Sequence, residues 1–412
     1  MPERLRAVVL APHLNPQGLG EVYSIFKWVE ALSERVDLTI LTLRPGPGLA
    51  EALPQARLIT FDEPRILNRL PRFNAMAKPW LPIFFAKARK WIQNAQSNGE
   101  TFDVAHQILP QAMRYTCPLT GLGIPYVVGP LGGSLKTPEA FGGEERDTSL
   151  VTSLRNLDRW RLKYDRRLRR GYESADLILG VAPYVNETLQ VAGLRIKRFE
   201  PVLERGFEGE RAIAARQNSP EELTLLHVGR AVRTKGLRDV LRALAQLQDL
   251  PGVRLISAGD GPDLEACRGE AVRLGIQDRV TFLGRVPRED VDRLYQEADV
   301  FCFPSYREPM GGVFFEAMSF GLPVIAADRG GPAFILDDAS AIKLAVETPQ
   351  QFATDIAGAI RALAMDPARR DAMGQAALTR LRSFGDLSDK AALLETFYRD
   401  IAKTTSQKIG SN

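Results

Sequence analysis

The sequence predicts an α/β protein of two Rossmann-like, doubly wound parallel-sheet domains facing each other across a cleft. Three observations predict it. The 412 residues exceed one ordinary domain and suit two of about 200 each. An apolar content of 45% with 25% charged residues belongs to a globular protein with a sizeable core. Short apolar runs alternate with helical periodicity in two successive series, the mark of βαβ units and parallel sheets.

The first series opens with LRAVVLA (5–11), an apolar run that ends in the loop APHLNPQGLGE. SIFKWVEALSERV follows with Ile25, Trp28, Val29 and Leu32 at helical spacing. DLTILTL (37–43), FDVAHQI (102–108), IPYVVGP (124–130) and ADLILGVA (175–182) are the next strands. Near 200–222 the periodicity dissolves into the polar stretch ERGFEGERAIAARQNSPEE. The domain boundary is placed there, giving domains of residues 1–205 and 206–387.

The second series repeats the pattern. LTLLHVG (223–229), VRLISAG (253–259), RVTFLG (279–284), DVFCFPS (299–305) and PVIAAD (323–328) are strands, and LRDVLRALAQL is a helix after the first of them. DKAALLETFYRDIAK (389–403) is an amphipathic helix with no strand after it. The segment from about 388 to 412 is expected to pack back on the first domain.

Several classes are disfavoured. Cys117, Cys267 and Cys302, like His13, His106 and His227, are scattered, so neither a disulfide framework nor a zinc site is expected. The apolar run in MPERLRAVVLAPHL is too short for a secretory signal. PWLPIFFA (79–86) falls short of the roughly 20 apolar residues of a membrane span. A cytoplasmic protein is expected. The net charge of +4 is uneven, about +7 over residues 1–205 and about −3 over the rest.

Chemistry concentrates in the loops that leave the strands of the second series. GRAVRTKG (229–236) places Arg230 and Lys235 together, a guanidinium fork and an ammonium suited to a diphosphate; the bland alternative is two solvated charges. In EPMGGVFFEAM (308–318), Glu308 precedes Gly311 and Gly312, and Glu316 lies four residues beyond Gly312. A helix start there offers unpaired N–H groups to phosphate, and glycine admits the ligand to the backbone. One carboxylate before that start and one a turn inside it suit hydroxyl groups on both sides of a phosphate, as in a nucleotide sugar. The alternative for Glu316 is a solvated helix residue.

Other loops are less specific. GDGPDLEAC (259–267) lacks the third glycine of a dinucleotide fingerprint, because Leu264 stands there. GRV (284–286) follows a strand, and the backbone at Val286 is a candidate contact for a nucleobase. In QGLGE, Gly18 and Gly20 either approach a phosphate or form a plain tight turn.

With Arg230, Lys235, Glu308 and Glu316 in order, the chain resembles a retaining glycosyltransferase of family 4, of the GT-B fold. The resemblance is carried by HVGRAVRTKG, SAGDGPDLE, VTFLGRVP, ADVFCFPSYREPMGGVFFEAMSFGLPVIAADRGG and, more loosely, QGLGE. It implies that Arg230 and Lys235 bind the donor diphosphate and stabilise it as it leaves. It further implies that Glu308 holds donor-sugar hydroxyls, Glu316 the ribose hydroxyls, and the backbone at Met310, Gly311 and Gly312 phosphate. Gly18 and Gly20 would approach donor or acceptor. No metal or other cofactor is implied; a nucleoside-diphosphate sugar is the substrate, and a glycan or lipid-linked hydroxyl the acceptor.

One departure concerns the acceptor side. Many relatives carry a histidine just after the strand equivalent to PYVV, where this chain has Leu131. His106 is the nearest substitute; its alternative is a strand-end histidine packed under a loop. Residues 64–91 and 155–170 mix basic, aromatic and aliphatic side chains, and in relatives such surfaces sit on anionic membranes; solvated helix faces are the alternative. Nucleic acid is not an expected partner, since the rest of the chain is near neutral or acidic. The rival functional reading is a non-catalytic nucleotide-sugar-binding or scaffold protein on the same fold. An epimerase would need acid and base residues that are not found, and the incomplete glycine fingerprint disfavours a dehydrogenase.

Overall fold

The structure is a computed structural model describing residues 4–18, 20–63, 78–144, 160–203, 205–206, 209, 211 and 222–410. It divides into two compact units. The first comprises Met1–Ser134, Ser153–Gly206 and Gly385–Asn412; the second comprises Leu135–Thr152 and Phe207–Phe384.

In the first unit, β1 (Arg6–Leu10), β3 (Asp37–Thr42), β5 (Arg57–Thr60), β6 (Val104–Gln107), β7 (Tyr126–Leu131), β8 (Leu177–Gly180) and β9 (Phe199–Pro201) form one parallel sheet of order β5-β3-β1-β6-β7-β8-β9. The short strands β2 (His13–Leu14) and β4 (Arg44–Pro45) pair separately. The central strands read as unbroken apolar runs because both sheet faces are covered, so alternation is lost. One covering layer is the helix Glu21–Ser33 together with the final helix Leu387–Gly410, whose Leu394, Phe397, Tyr398 and Ile401 join the core of Val9, Ile25, Val29 and Ile40.

The second unit follows the same logic. β10 (Leu223–Val228), β11 (Val253–Ala258), β12 (Val280–Gly284), β13 (Val300–Phe303), β14 (Val324–Ala327) and β15 (Ala341–Leu344) form a parallel sheet of order β12-β11-β10-β13-β14-β15. Within the unit this is the order 3-2-1-4-5-6 of a doubly wound fold, and the first six strands of the other sheet repeat it when the small strands are set aside. The core gathers Leu225, Leu241, Leu255, Cys302, Ile325, Ile356 and Ile360. It also takes in Phe141, from the short 3-10 segment Glu139–Glu144, which lies far earlier in the chain.

Every strand expected from the apolar runs is present. Besides the two-residue strands β2 and β4, the strands the sequence reading missed lie at the edges of the two large sheets: β5, β9 and β15 are mostly half-exposed. An edge strand needs no continuous apolar run, so Arg57, Glu200 and Lys343 hid the pattern. The stretch 79–91 also differs from the surface reading. It lies in a helix, Trp80–Ser97, that buries Trp80, Leu81, Phe84, Phe85, Ala88, Ile92 and Ala95. Their helical spacing makes one core-facing stripe, so these aromatics are not available to a membrane.

Candidate functional site

In an open parallel sheet, the loops that leave the two strands at the switch point diverge and leave a crevice beyond their carboxyl ends. In the second unit that point lies between β10 and β13, which are paired. The loop after β10 is Gly229–Gly236, and the loop after β13 is Pro304–Gly311. These are the two loops that carry Arg230, Lys235 and Glu308.

Each loop is fixed by specific bonds. The 3-10 turn Arg233–Lys235 is tied to the other loop by Ser305, whose hydroxyl donates to the Thr234 carbonyl at 3.0 Å. Beneath it, His227 on β10 is fully buried, and its Nε2–H donates to the Lys235 carbonyl at 3.1 Å. Burial lowers its pKa to about 4, so the ring is neutral and acts as a strut. Arg233 points inward and makes a two-pronged bond to Asp239, at 2.6 and 2.9 Å. Its guanidinium also lies near the rings of Phe141 and Tyr306, at 5.6 and 5.4 Å.

Lys235 instead points across the crevice, where its ammonium is ion-paired with Glu308 Oε2. Glu308 is buried and its carbonyl accepts from Gly331 N–H at 2.9 Å. A Cβ at Gly331 would stand 2.0 Å from the Met310 carbonyl oxygen, so only glycine lets the backbone of 308–310 lie this close. Arg307 is held by Thr137 at 2.8 Å, and the Arg329 guanidinium donates to the Lys136 carbonyl at 3.1 Å. Residues 135–141 thus brace the Glu308 loop.

The helix Gly312–Ser319 begins where the loop ends, with Gly311 at φ 94° as its cap. Its first-turn N–H groups, at Gly312 and Val313, open onto the loop with no intrahelical acceptor. Glu316 sits one turn in. Its Oε1 is 3.0 Å from an Arg288 guanidinium nitrogen, and its Oε2 accepts from the Tyr295 hydroxyl at 3.3 Å. Cation, buried carboxylate, helix start and second carboxylate therefore follow one another along two paired loops and the helix that continues one of them.

The expected residues sort as follows. Lys235 and Glu308 touch; Met310, Gly311, Gly312 and Glu316 continue the same loop and helix. Arg230 is exposed on the Lys235 loop. Val286 lies between β12 and the helix Arg288–Glu297, two residues before the arginine that holds Glu316. Gly259, at φ 142°, and Gly261 press against Gly229 and Ala231, where a Cβ would meet carbonyl oxygens at 1.8 and 2.2 Å. The GDG turn thus braces the Lys235 loop.

Gly18 and Gly20 belong to the first unit, after β1 and before the helix Glu21–Ser33, with Gly20 at φ 61° as that helix's cap. His106 does not reach an acceptor surface. It has no exposed area, and its Nδ1 and Nε2 lie 2.6 Å from the Tyr398 hydroxyl and the Gly129 carbonyl respectively. Burial lowers its pKa to about 4, so the packing reading replaces the acceptor-side one. Leu131 is equally buried. His13, just beyond β1, is the half-buried histidine of this unit, its pKa lowered by burial and by Arg44 and Lys78. Sequence reading passed over it with the other scattered histidines.

Of the two basic aromatic stretches, residues 64–77 and 155–159 lie outside the described residues. Trp160 and Tyr164 are strongly exposed, beside exposed Lys163, Arg166, Arg167 and Arg170. Arg161 and Arg169 are neutralised by Asp165 and Glu173. Among the described residues no three His, Cys, Asp or Glu side chains are grouped as metal ligands. No described helix is long and apolar enough to cross a membrane.

Residues 210–380 match the family described as Glycosyl transferases group 1. A D-inositol 3-phosphate glycosyltransferase of Mycobacterium marinum is 37% identical over 193 residues, 45% of this chain and 40% of that protein. One of Kribbella flavida is 32% identical over 231 residues, 52% of this chain and 54% of its own. The chain therefore spans about half the length of the curated relatives it matches. Among solved structures, Anabaena HepE in complex with UDP and glucose aligns over 99% of this chain and 100% of its own, with 17% identity and a TM-score of 0.59. Sucrose-phosphate synthase from Thermosynechococcus elongatus aligns over 97% and 100%, with 20% identity and a TM-score of 0.65. These likenesses show the fold, GT-B, over the whole chain.

Proposed function

We propose, from the match of residues 210–380 to the family described as Glycosyl transferases group 1, that the protein is a retaining glycosyltransferase. It moves a sugar from a nucleoside-diphosphate sugar to a hydroxyl of a glycan or lipid-linked acceptor, without a metal. The observation that carries this reading is the crevice at the β10/β13 switch point, where the Lys235 ammonium, the Glu308 carboxylate and the start of the helix Gly312–Ser319 converge.

The chemistry follows from that arrangement. Cleaving the bond between the sugar and the nucleoside diphosphate develops negative charge on the leaving oxygen. Lys235, with Arg230 on the same loop, supplies fixed positive charge there, and the N–H groups at Met310, Gly311 and Gly312 add oriented dipoles. Glu308 accepts hydrogen bonds from donor-sugar hydroxyls, and Glu316 from the ribose. The backbone at Val286 faces the base, and Gly18 and Gly20 are read as further contacts to donor or acceptor. No histidine of β6 or β7 offers a base, so the departing phosphate oxygen takes the acceptor proton, which same-face transfer allows.

For the acceptor, exposed Trp160 and Tyr164 among Lys163, Arg166, Arg167 and Arg170 support a first unit resting on an anionic membrane surface. On this reading the protein works at the inner face of a membrane. The rival reading, a binding protein without turnover, is favoured by one observation: Leu131 and His106 leave no exposed histidine on β6 or β7.

A thermal-shift screen of UDP, GDP and ADP sugars, with the native protein beside Lys235→Ala and Glu316→Ala, tests the reading. Stabilisation by one nucleotide class that both variants lose supports the donor site, and transfer assays with that donor then separate enzyme from binding protein. A folded protein that no nucleotide stabilises refutes it.

A further inference from the structure

The helix Arg288–Glu297 carries Arg288, Asp292 and Tyr295 at spacings of four and three, which puts them on one face. That face meets Glu316. Arg288 Nη1 stands 3.0 Å from Glu316 Oε1, and its other terminal nitrogen 3.4 Å from Asp292. The Tyr295 hydroxyl donates to Glu316 Oε2 at 3.3 Å.

Tyr295 has no exposed area. Its ring stacks on Phe320, with centroids 5.4 Å apart and planes 10° apart, and tilts against Phe301 at 5.6 Å. The hydroxyl is therefore fixed in space. Asp292 is itself held by Arg211 at 3.0 Å, so the arginine it orients is also restrained.

A glutamate on a helix has three side-chain torsions, and a mobile one loses entropy when it binds a ligand. Here one anchor grips each oxygen. A carboxylate oxygen can accept more than one hydrogen bond, so an anchored carboxylate can still accept from a ligand hydroxyl. An ionised carboxylate makes the stronger, charge-assisted hydrogen bonds to hydroxyls.

We propose that Arg288 and Tyr295 are positioning residues that hold the Glu316 carboxylate for the ribose diol, so that the helix Arg288–Glu297 sets the preference for ribonucleoside over 2′-deoxyribonucleoside diphosphates. The proposal rests on the donor-site reading above and deepens it. Neither residue touches the reacting atoms; both act through Glu316.

The test is calorimetric binding of UDP, GDP and ADP and their 2′-deoxy counterparts to the native protein, Arg288→Gln, Arg288→Lys, Tyr295→Phe and Glu316→Gln. The native protein is expected to favour the ribonucleotide. Arg288→Gln and Tyr295→Phe should each weaken the ribonucleotide about five- to twentyfold and leave the deoxy form within about twofold, because a ligand without the 2′-hydroxyl makes little use of an aligned carboxylate. Arg288→Lys should restore part of the preference, and Arg288→Gln added to Glu316→Gln should change nothing further. Equal weakening of both nucleotides by Arg288→Gln would overturn the proposal, since the arginine would then be contacting phosphate or base. An unchanged ratio in a folded variant would overturn it too. If the native protein bound no nucleoside diphosphate at all, the donor-site reading would itself have failed, a result separate from these.

Discussion

Replacing Glu308 by glutamine should strengthen nucleoside diphosphate binding while abolishing most transfer. In the structure the Lys235 ammonium is engaged by Glu308, whose side chain is 10% exposed against 21% for the lysine. A diphosphate arriving at that lysine must compete with a carboxylate already in contact and suffers repulsion from its charge. Two unit charges about 4 Å apart interact by about 4 kcal/mol at an effective dielectric of about 20, and by about 1 kcal/mol in water. Partial exposure and the retained amide place the net effect at about 1–2 kcal/mol, or five- to thirtyfold tighter binding. Transfer should fall at least about a hundredfold, because glutamine replaces charge-assisted bonds to the sugar with neutral ones. Titration calorimetry with the diphosphate and a radiolabelled-donor transfer assay measure the two sides. If Glu308→Gln weakened the diphosphate as much as Lys235→Ala, Glu308 would be a nucleotide ligand and the competition argument would be wrong.

Asp239→Ala should destabilise the second unit by about 3–5 kcal/mol in urea, since it removes the two-pronged carboxylate from the Arg233 guanidinium in a core where the pair is 5% and 0% exposed; a loss under about 1 kcal/mol would contradict the buried-pair account. Acid should destabilise both units. His106 and His227 are held near pKa 4 by burial, while the unfolded chain takes its protons near 6.5, so stability is whole above about pH 6.5. It declines toward pH 4 at up to about 1.4 kcal/mol per unit for each histidine. His106→Phe should flatten that slope for the first unit in urea titrations at pH 7 and pH 5, and an unaltered slope would exclude this histidine as its source. Trp160→Ala with Tyr164→Ala should abolish flotation with vesicles rich in phosphatidylglycerol and leave nucleotide binding intact; undiminished flotation would remove this patch from membrane contact.

What the sequence disclosed follows physical lines. Strands buried on both faces, such as RAVVL and VFCF, declare themselves by unbroken apolar runs, and two βαβ series point to two doubly wound sheets, whose strand order the sequence does not fix. The spacing from Gly312 to Glu316 placed a carboxylate one turn into a helix because that relation is local. Contacts between distant segments left no such trace. Arg288 and Tyr295 read as an ordinary charged helix, and nothing at Thr137 or Phe141 marks residues that brace the Glu308 loop. His106 stayed open between two readings because a histidine at a strand end looks the same in sequence whether its ring faces solvent or, as here, Tyr398. Edge strands such as AIKL escaped because half-exposure permits polar residues.

Hydrogen exchange with and without the nucleoside diphosphate that gives the largest thermal shift tests the central claim, that the β10/β13 crevice is the donor site. Protection should concentrate in residues 229–236 and 308–319, including the amides of Gly311 and Gly312, and should disappear in Lys235→Ala at the same ligand concentration. A nucleotide that binds without protecting those two segments would contradict the account.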